Sequence, residues 1–242
     1  MALFKEHSGK AMRLMDDLID LEMEKIEAIL DKIKSDPETE DVKRTELDLW
    51  EKIKKKSLGG RRTGLGITAE GDMLAALGMR YGSEKAIDFA VEVQQNLAVE
   101  AYRSSVNMAS ERGAFPIYDT KREENNPMID RIRTVDPELY ALMAKVGRRN
   151  ISLLTIAPTG TTSLMTQTTS GIEPVFLPFY IRRRKVNPND KNAVITFKDD
   201  VGDCWEEYYV FHHKFLTWCE VNGIPAEDVK KVERRLVSEE KK

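Results

Sequence analysis

The chain of 242 residues has only two cysteines, Cys204 and Cys219, and three histidines, His7, His212 and His213. Two thiols are too few for a disulfide framework, and their spacing is not that of a metal site. A reducing cytosol suits such a chain best, so a cytoplasmic location is expected. Three histidines leave little room for a histidine-built metal centre, and no metal ligand is assigned. No apolar run approaches the ~20 residues of a membrane span and the N-terminus lacks a signal-peptide pattern, so no membrane partner is expected. An excess of either charge is missing too. The 38 basic residues nearly balance the 41 acidic ones, for a formal net charge of -3. No basic excess points to nucleic acid, and no acidic excess points to disorder. What is present is a chain 41% hydrophobic and 33% charged, able to bury a core beneath a very polar surface. Its length suits one large or two small domains.

The first half reads as helical. Met12, Met15, Ile19, Met23, Ile26, Leu30 and Ile33 recur every three or four residues and predict one long helix from about Leu3 to Ser35. Asp16, Asp17, Asp20, Glu22, Glu24 and Lys25 fall largely off that stripe. Asp36-Pro37 breaks the helix, and a second is expected from Glu40 to Lys56, with Val42, Leu47, Leu49, Trp50 and Ile53 as its apolar face. Its closing run of lysines reads first as a solvated helix end. Arg61 to Thr68 reads as a strand thinned by Gly64 and Gly66, a pattern that often marks close approach by another backbone or a ligand. Gly64-Leu65-Gly66 is no dinucleotide fingerprint, because no strand ending in an acidic residue follows. A short helix over Ala69 to Leu77 and a long one from Ser83 to about Arg112 come next. The long one has Ile87, Ala90, Val91, Leu97, Ala98, Ala101, Tyr102, Met108 and Ala109 on one face. Ala114 to Pro127 reads as a loop, and Asp136-Pro137 opens a helix ending at Gly147.

The stretch Arg148 to Pro174 carries the chemistry. Ile151 to Ala157 is a short, β-branched apolar run that predicts a buried strand. Pro158 stops it, Thr159-Gly160-Thr161-Thr162-Ser163 follows, and Leu164-Met165 restarts an apolar pattern that could open a helix. Strand, small polar turn and helix start is an arrangement that binds phosphate through free backbone N–H groups. The plainer reading is an ordinary βα turn, since Ser and Thr are common helix caps. No Gly-Lys-Ser/Thr follows, so this is not a Walker A loop.

Val175 to Val186 predicts a strand leaving the core and ending in the basic tip Arg182-Arg183-Arg184-Lys185, which reads either as a route for an anion or as a solvated strand end. A turn at Asn187 to Asp190 and a short strand at Ala193 to Phe197 follow. Cys204 to Val221 reads as one aromatic-rich helix, Pro225 to about Val237 as a charged helix, and Glu239 to Lys242 as a frayed end. The order is an α/β pattern, helix-rich with few and widely spaced strands.

Five blocks in register carry a resemblance. They are Gly60-Arg61-Arg62-Thr63-Gly64-Leu65-Gly66-Ile67, Glu111-Arg112-Gly113-Ala114-Phe115-Pro116, Arg148-Arg149-Asn150, Ala157 to Ser163, and Ser170-Gly171-Ile172-Glu173-Pro174. In order and spacing the chain resembles the large catalytic chain of adenosylcobalamin-dependent (class II) ribonucleotide reductase. The resemblance implies part of a ten-stranded α/β barrel over residues 1–223, with 224–242 a charged helix or tail. It implies radical reduction of a ribonucleotide to its 2′-deoxy form for DNA synthesis. Adenosylcobalamin would be the cofactor, and a dithiol such as thioredoxin the reductant of the whole enzyme. By the match of blocks, Ala157, Pro158, Thr159, Gly160, Thr161, Thr162 and Ser163 would cradle the substrate phosphates. The family's finger loop, Asn-x-Cys-x-Glu, does not occur here, nor does the reducing cysteine pair. Cys204 and Cys219 read as structural, and no catalytic or cofactor-binding residue is assigned. Arg61, Arg62, Arg148 and Arg149 are expected to pair with acids of neighbouring helices. The chain is thus expected to be a segment lying after the finger loop, inactive alone and partnered by the thiol-bearing remainder. A non-catalytic nucleotide-binding module and a structural remnant are the alternatives.

Overall fold

The structure is a computed structural model that describes residues 1–187, 189–190, 192–225 and 228. The chain divides into two compact units, one of residues 1–66 and 84–156, the other of 67–83 and 157–242.

In the first unit, α1 (Ala2–Ser35) and α4 (Glu84–Arg112) are the long helices. The stripe on α1 packs as its period demands, with Met12, Ile19, Ile26, Leu30 and Ile33 buried. Asp36 turns to an extended conformation ahead of Pro37 and ends the helix. α2 (Glu40–Gly60) runs one turn past the expected end and stops where Arg61 takes the left-handed conformation, φ 45°. Its predicted apolar face is only partly used, and Val42 and Leu49 are exposed. The buried face of α4 differs from expectation in its first half. Ala86 and Val93 are buried there, while Ile87 and Val91 face outward. From Leu97 on, the predicted face holds.

The stretch after α4 contains a 3-10 turn, Thr120–Glu123, and then α5 (Pro127–Val135) and α6 (Pro137–Val146). Both helices start as their sequences dictate. Asn126 and Asp136 accept the N–H groups of Met128 and Leu139 at 3.0 and 2.9 Å, each with proline at the first helical position. Met12, Tyr102, Val106, Met108, Ile129, Ile132, Leu139, Met143 and Leu153 form a common core.

The two strands expected around Gly64 and Leu153 run side by side but pair sparsely. They form a single parallel bridge, Leu65 to Leu154, extended by bonds from Thr63 N–H to Ser152 O (2.9 Å) and from Thr155 N–H to Leu65 O (3.0 Å). The glycine reading is met here. A Cβ on Gly66 would lie 2.6 Å from the Thr155 carbonyl oxygen, so only glycine lets the backbones come so close.

The second unit holds α3 (Glu70–Ala76), α7 (Gly160–Thr166), α8 (His213–Val221) and an antiparallel sheet. Its strands are β1 (Phe179–Lys185), β2 (Phe197–Lys198) and β3 (Cys204–Phe211), in the order β1-β3-β2. The single helix expected from Cys204 to Val221 is therefore a strand followed by a helix. Trp205, Tyr208, Tyr209, Val210 and Phe211 favour a pleated surface, and β1 offers a complete partner, with Phe179 opposite Phe211 and Arg183 opposite Glu207. Among the described residues the strands make this open sheet and the lone parallel bridge. Apart from Pro225 and Asp228, the charged helix and terminus expected after Ile224 lie outside the described residues.

Candidate functional site

Thr159 is the N-cap of α7, yet its side chain makes no capping bond. Its hydroxyl donates instead to Ser170 O at 2.6 Å, and its N–H donates to the same carbonyl at 3.0 Å. The first bond into the helix runs from Ser163 N–H to Thr159 O, at 2.8 Å. The N–H groups of Gly160, Thr161 and Thr162 precede it and so have no partner within the helix. All three residues are exposed, and a Cβ built on Gly160 meets nothing within 4 Å. Ala157 and Pro158 are exposed beside them, and Thr159 is half-buried. The hydroxyls of Thr161 and Thr162 make no hydrogen bond among the described residues. Ser163 differs, because it is buried and its hydroxyl is spent on Gly160 O at 2.8 Å.

Two of the sequence blocks meet here. Ser170 to Pro174 forms a return segment beneath the loop, and Gly171 O accepts the N–H of Glu70 at 3.1 Å. Gly71 has to be glycine for this contact, since a Cβ there would lie 2.4 Å from Glu173 O. Bonds from its own backbone N–H and from the Ser170 hydroxyl hold the Glu173 carboxyl below the usual carboxylate range. Thr68, which sequence reading did not single out, brings its hydroxyl 2.8 Å from that of Thr159. The Thr159 proton is committed to Ser170 O, so Thr68 is the donor. Asp72, also missed, accepts the N–H of Thr169 at 3.0 Å. Thr68 and Asp72 lie roughly ninety residues from the loop, a separation no short motif spans.

The four arginines flagged from sequence lie in the first unit. Arg61 donates to Asp16 and Asp20, both at 2.8 Å. Arg149 reaches Asp16 at 3.3 Å, Arg148 reaches Glu123 at 3.0 Å, and Arg62 is exposed. Asp16, expected off the core stripe, is in fact fully buried, because Arg61, Arg149 and Asn150 converge on it. Burial alone would raise its pKa; bonds from Arg61 and Asn150 and the nearby guanidinium charges outweigh burial and lower it. Asp17 and Asp20 lie beside it, and the Arg61 and Arg112 guanidiniums answer their charges at 2.8 Å.

The basic tip of β1 is a set of cross-strand ion pairs. Arg183 meets Glu207 at 2.5 Å, Arg184 meets Glu206 at 2.6 Å, and Lys185 meets Asp203. Cys219 is buried in α8 and Cys204 opens β3 half-buried, both as free thiols.

The family model described as "Ribonucleotide reductase, barrel domain" matches residues 3–210. The chain belongs to that family. It is 36% identical over 123 residues to a vitamin B12-dependent ribonucleoside-diphosphate reductase of Mycobacterium tuberculosis H37Rv, covering 50% of this chain and 15% of that protein. The vitamin B12-dependent ribonucleoside-diphosphate reductase of Thermoplasma acidophilum is 32% identical over 133 residues, 54% of this chain and 15% of the relative. A ribonucleoside-diphosphate reductase subunit alpha of Chlamydia pneumoniae is 29% identical over 148 residues, 53% of this chain and 14% of the relative. The chain thus aligns with about 15% of the length of these relatives. Among the described residues, no helix is long and apolar enough to cross a membrane.

Proposed function

We propose that this chain forms part of the wall of a ten-stranded ribonucleotide reductase barrel and supplies the loop, Ala157 to Ser163, that holds the phosphates of a ribonucleotide. The observation that carries the reading is the turned-away cap. Thr159 leaves the N–H groups of Gly160, Thr161 and Thr162 exposed and undirected within the helix, beside the free hydroxyls of Thr161 and Thr162. Such donors suit a phosphate's oxygens. Membership of the reductase family over residues 3–210 supports the identity of the anion as a substrate nucleotide.

Reduction of a ribose 2′-hydroxyl requires a hydrogen-abstracting thiyl, a carboxylate base and two electrons from thiols. Buried Cys219 and sheet-bound Cys204 do not suit that work, so the reading includes a thiol-bearing remainder of the reductase and an external dithiol such as thioredoxin. Adenosylcobalamin would supply the radical in the assembled enzyme. A corrin ring needs a broad, largely apolar seat. Two clefts of about 340 and 310 Å³ lie in the first unit, one bordered by Lys10, Arg13 and Glu111 among others and the other by Glu123, Asp130 and Arg133 among others, and both are too small for a corrin ring with its nucleotide loop. Neither fits a cobalamin, and no cobalamin contact is assigned to the described residues.

Calorimetry with nucleoside di- and triphosphates tests the loop. Binding by the purified chain, weakened about tenfold by Thr161→Val, is expected. Absence of binding to either would leave a structural remnant. Reductase turnover by the chain alone, supplied with adenosylcobalamin and a dithiol, would sink the claim that it needs the remainder.

A further inference from the structure

Asp72 lies in the first turn of α3, with its side chain 12% exposed. His212, which follows β3 and stands at the N-cap position of α8 without a side-chain capping bond, brings Nε2 within 3.4 Å of Asp72 Oδ2 and is itself 13% exposed. The same carboxylate oxygen accepts the Thr169 N–H at 3.0 Å. Thr169 is followed by Ser170, whose carbonyl takes both the N–H and the hydroxyl of Thr159. An unbroken line of contacts therefore joins His212 and Asp72 to the residue from which the phosphate loop's helix starts.

The arrangement has a cost. A carboxylate is largely removed from water, and among the described residues His212 Nε2 and Thr169 Oγ1 are buried without a hydrogen-bond partner. Packing alone does not explain polar groups held this way. The local chemistry suggests what is gained. Threonine at an N-cap ordinarily turns its hydroxyl onto the first helical N–H groups. Here Ser170 O holds that hydroxyl away, which keeps those N–H groups open. If the return segment drifted, the Thr159 hydroxyl would swing back, cap α7 itself and compete with any anion.

We infer that Asp72 is a positioning residue for the phosphate loop, acting through Thr169 and Ser170 to keep Thr159 from capping its own helix. The inference rests on the phosphate-loop reading above. Asp72 touches no substrate, and an uncharged oxygen at its position suffices to hold the Thr169 N–H.

The test uses the full chain as wild type, Asp72→Ala and Asp72→Asn. Amide hydrogen exchange at Thr159 and Thr169, thermal melting, and calorimetric binding of ADP as the probe are measured for each. In Asp72→Ala, exchange at both amides rises about tenfold while the melting temperature holds, because only a local opening is released. ADP binding weakens by about the same factor. Asp72→Asn keeps wild-type exchange and binding, because its amide oxygen still accepts from Thr169. Adding Thr159→Val to Asp72→Ala recovers part of the affinity, since the competing hydroxyl is gone. Unchanged exchange at Thr159 in Asp72→Ala overturns the inference, as does Asp72→Asn behaving like Asp72→Ala. Should Asp72→Ala not fold, the near-isosteric Asp72→Leu, which lacks an acceptor, replaces it: a rise at the same two amides supports the inference, and no rise overturns it. A wild type that fails to bind ADP while exchange responds as described removes the phosphate-loop reading and leaves the positioning contact standing.

Discussion

Asp16 Oδ1 lies 2.8 Å from Arg61 Nε, and the two side chains are 0% and 3% exposed. The contact ties the middle of α1 to the segment that follows α2. Asn150 Nδ2 donates to the same oxygen at 2.8 Å, and Asn150 in turn is held by the Ser105 hydroxyl of α4. One carboxylate therefore fastens two helices and both extended segments of the first unit. Such a buried charge is tolerable only while all its partners remain.

Truncating Asp16 leaves the buried Arg61 Nε without its acceptor, with Asp20 and the Asp16 carbonyl as the guanidinium's remaining partners among the described residues. Asp16→Ala is expected to destabilise the chain by about 3–5 kcal/mol, read from chemical denaturation with a two-state fit. A loss below about 1 kcal/mol, the size of an exposed pair, would mean that solvent reaches the site.

The same carboxylate makes stability depend on acidity. Its folded pKa lies below its ordinary value, so the unfolded chain binds a proton first as pH drops. The contribution is fully present above the ordinary Asp range of about pH 4 and is lost as pH falls through the lower folded value. Denaturation midpoints measured from neutral pH downward should fall in that window, and the fall should be shallower in Asp16→Asn, which cannot titrate there.

Arg148 sits among three rings, with its guanidinium carbon 5.8, 5.4 and 5.9 Å from the centroids of Tyr102, Phe115 and Tyr118. Nε and Nη2 donate to Asn150 O and Ile151 O at 3.1 and 3.2 Å, while buried Nη1 has no hydrogen bond among the described residues. The ring faces supply what that nitrogen lacks. Arg148→Lys keeps the charge and loses the planar fork, so a cost of about 2 kcal/mol is expected. A melting temperature equal to wild type would show that charge alone matters.

Glycine is required at one position of the extended pair and not in the loop. Gly66→Ala pushes a Cβ to 2.6 Å from the Thr155 carbonyl, a backbone atom that cannot yield cheaply, and should cost about 1–3 kcal/mol. Gly160→Ala, with nothing within 4 Å, should leave stability within about 0.5 kcal/mol. Equal effects at the two sites would contradict the close approach.

Much of the helical frame was legible in sequence because its causes are local. The period of Met12 to Ile33, the stop at Asp36-Pro37 and the cap at Asp136 each act within a few residues. The loop Thr159 to Ser163 was legible too, as a small polar turn between apolar runs. Less could be said of Cys204 to Phe211. Its dense aromatics suit a buried helix or a strand, and the choice depends on β1, some twenty residues earlier, offering its edge.

The amino-acid order alone marked where several helices start and stop, Gly66 as a point of close approach, and Thr159 to Ser163 as a small polar turn between apolar runs. Tertiary structure decided the rest. It buried Asp16 by bringing Arg61 and Asn150 to it from 45 and 134 residues away. It also put Thr68 and Asp72 beside a loop they precede by some ninety residues. A cap or a period is set by backbone geometry over one helical turn. A charge pair or a diverted hydroxyl exists only once separate segments have excluded water between them, and no local pattern records that event.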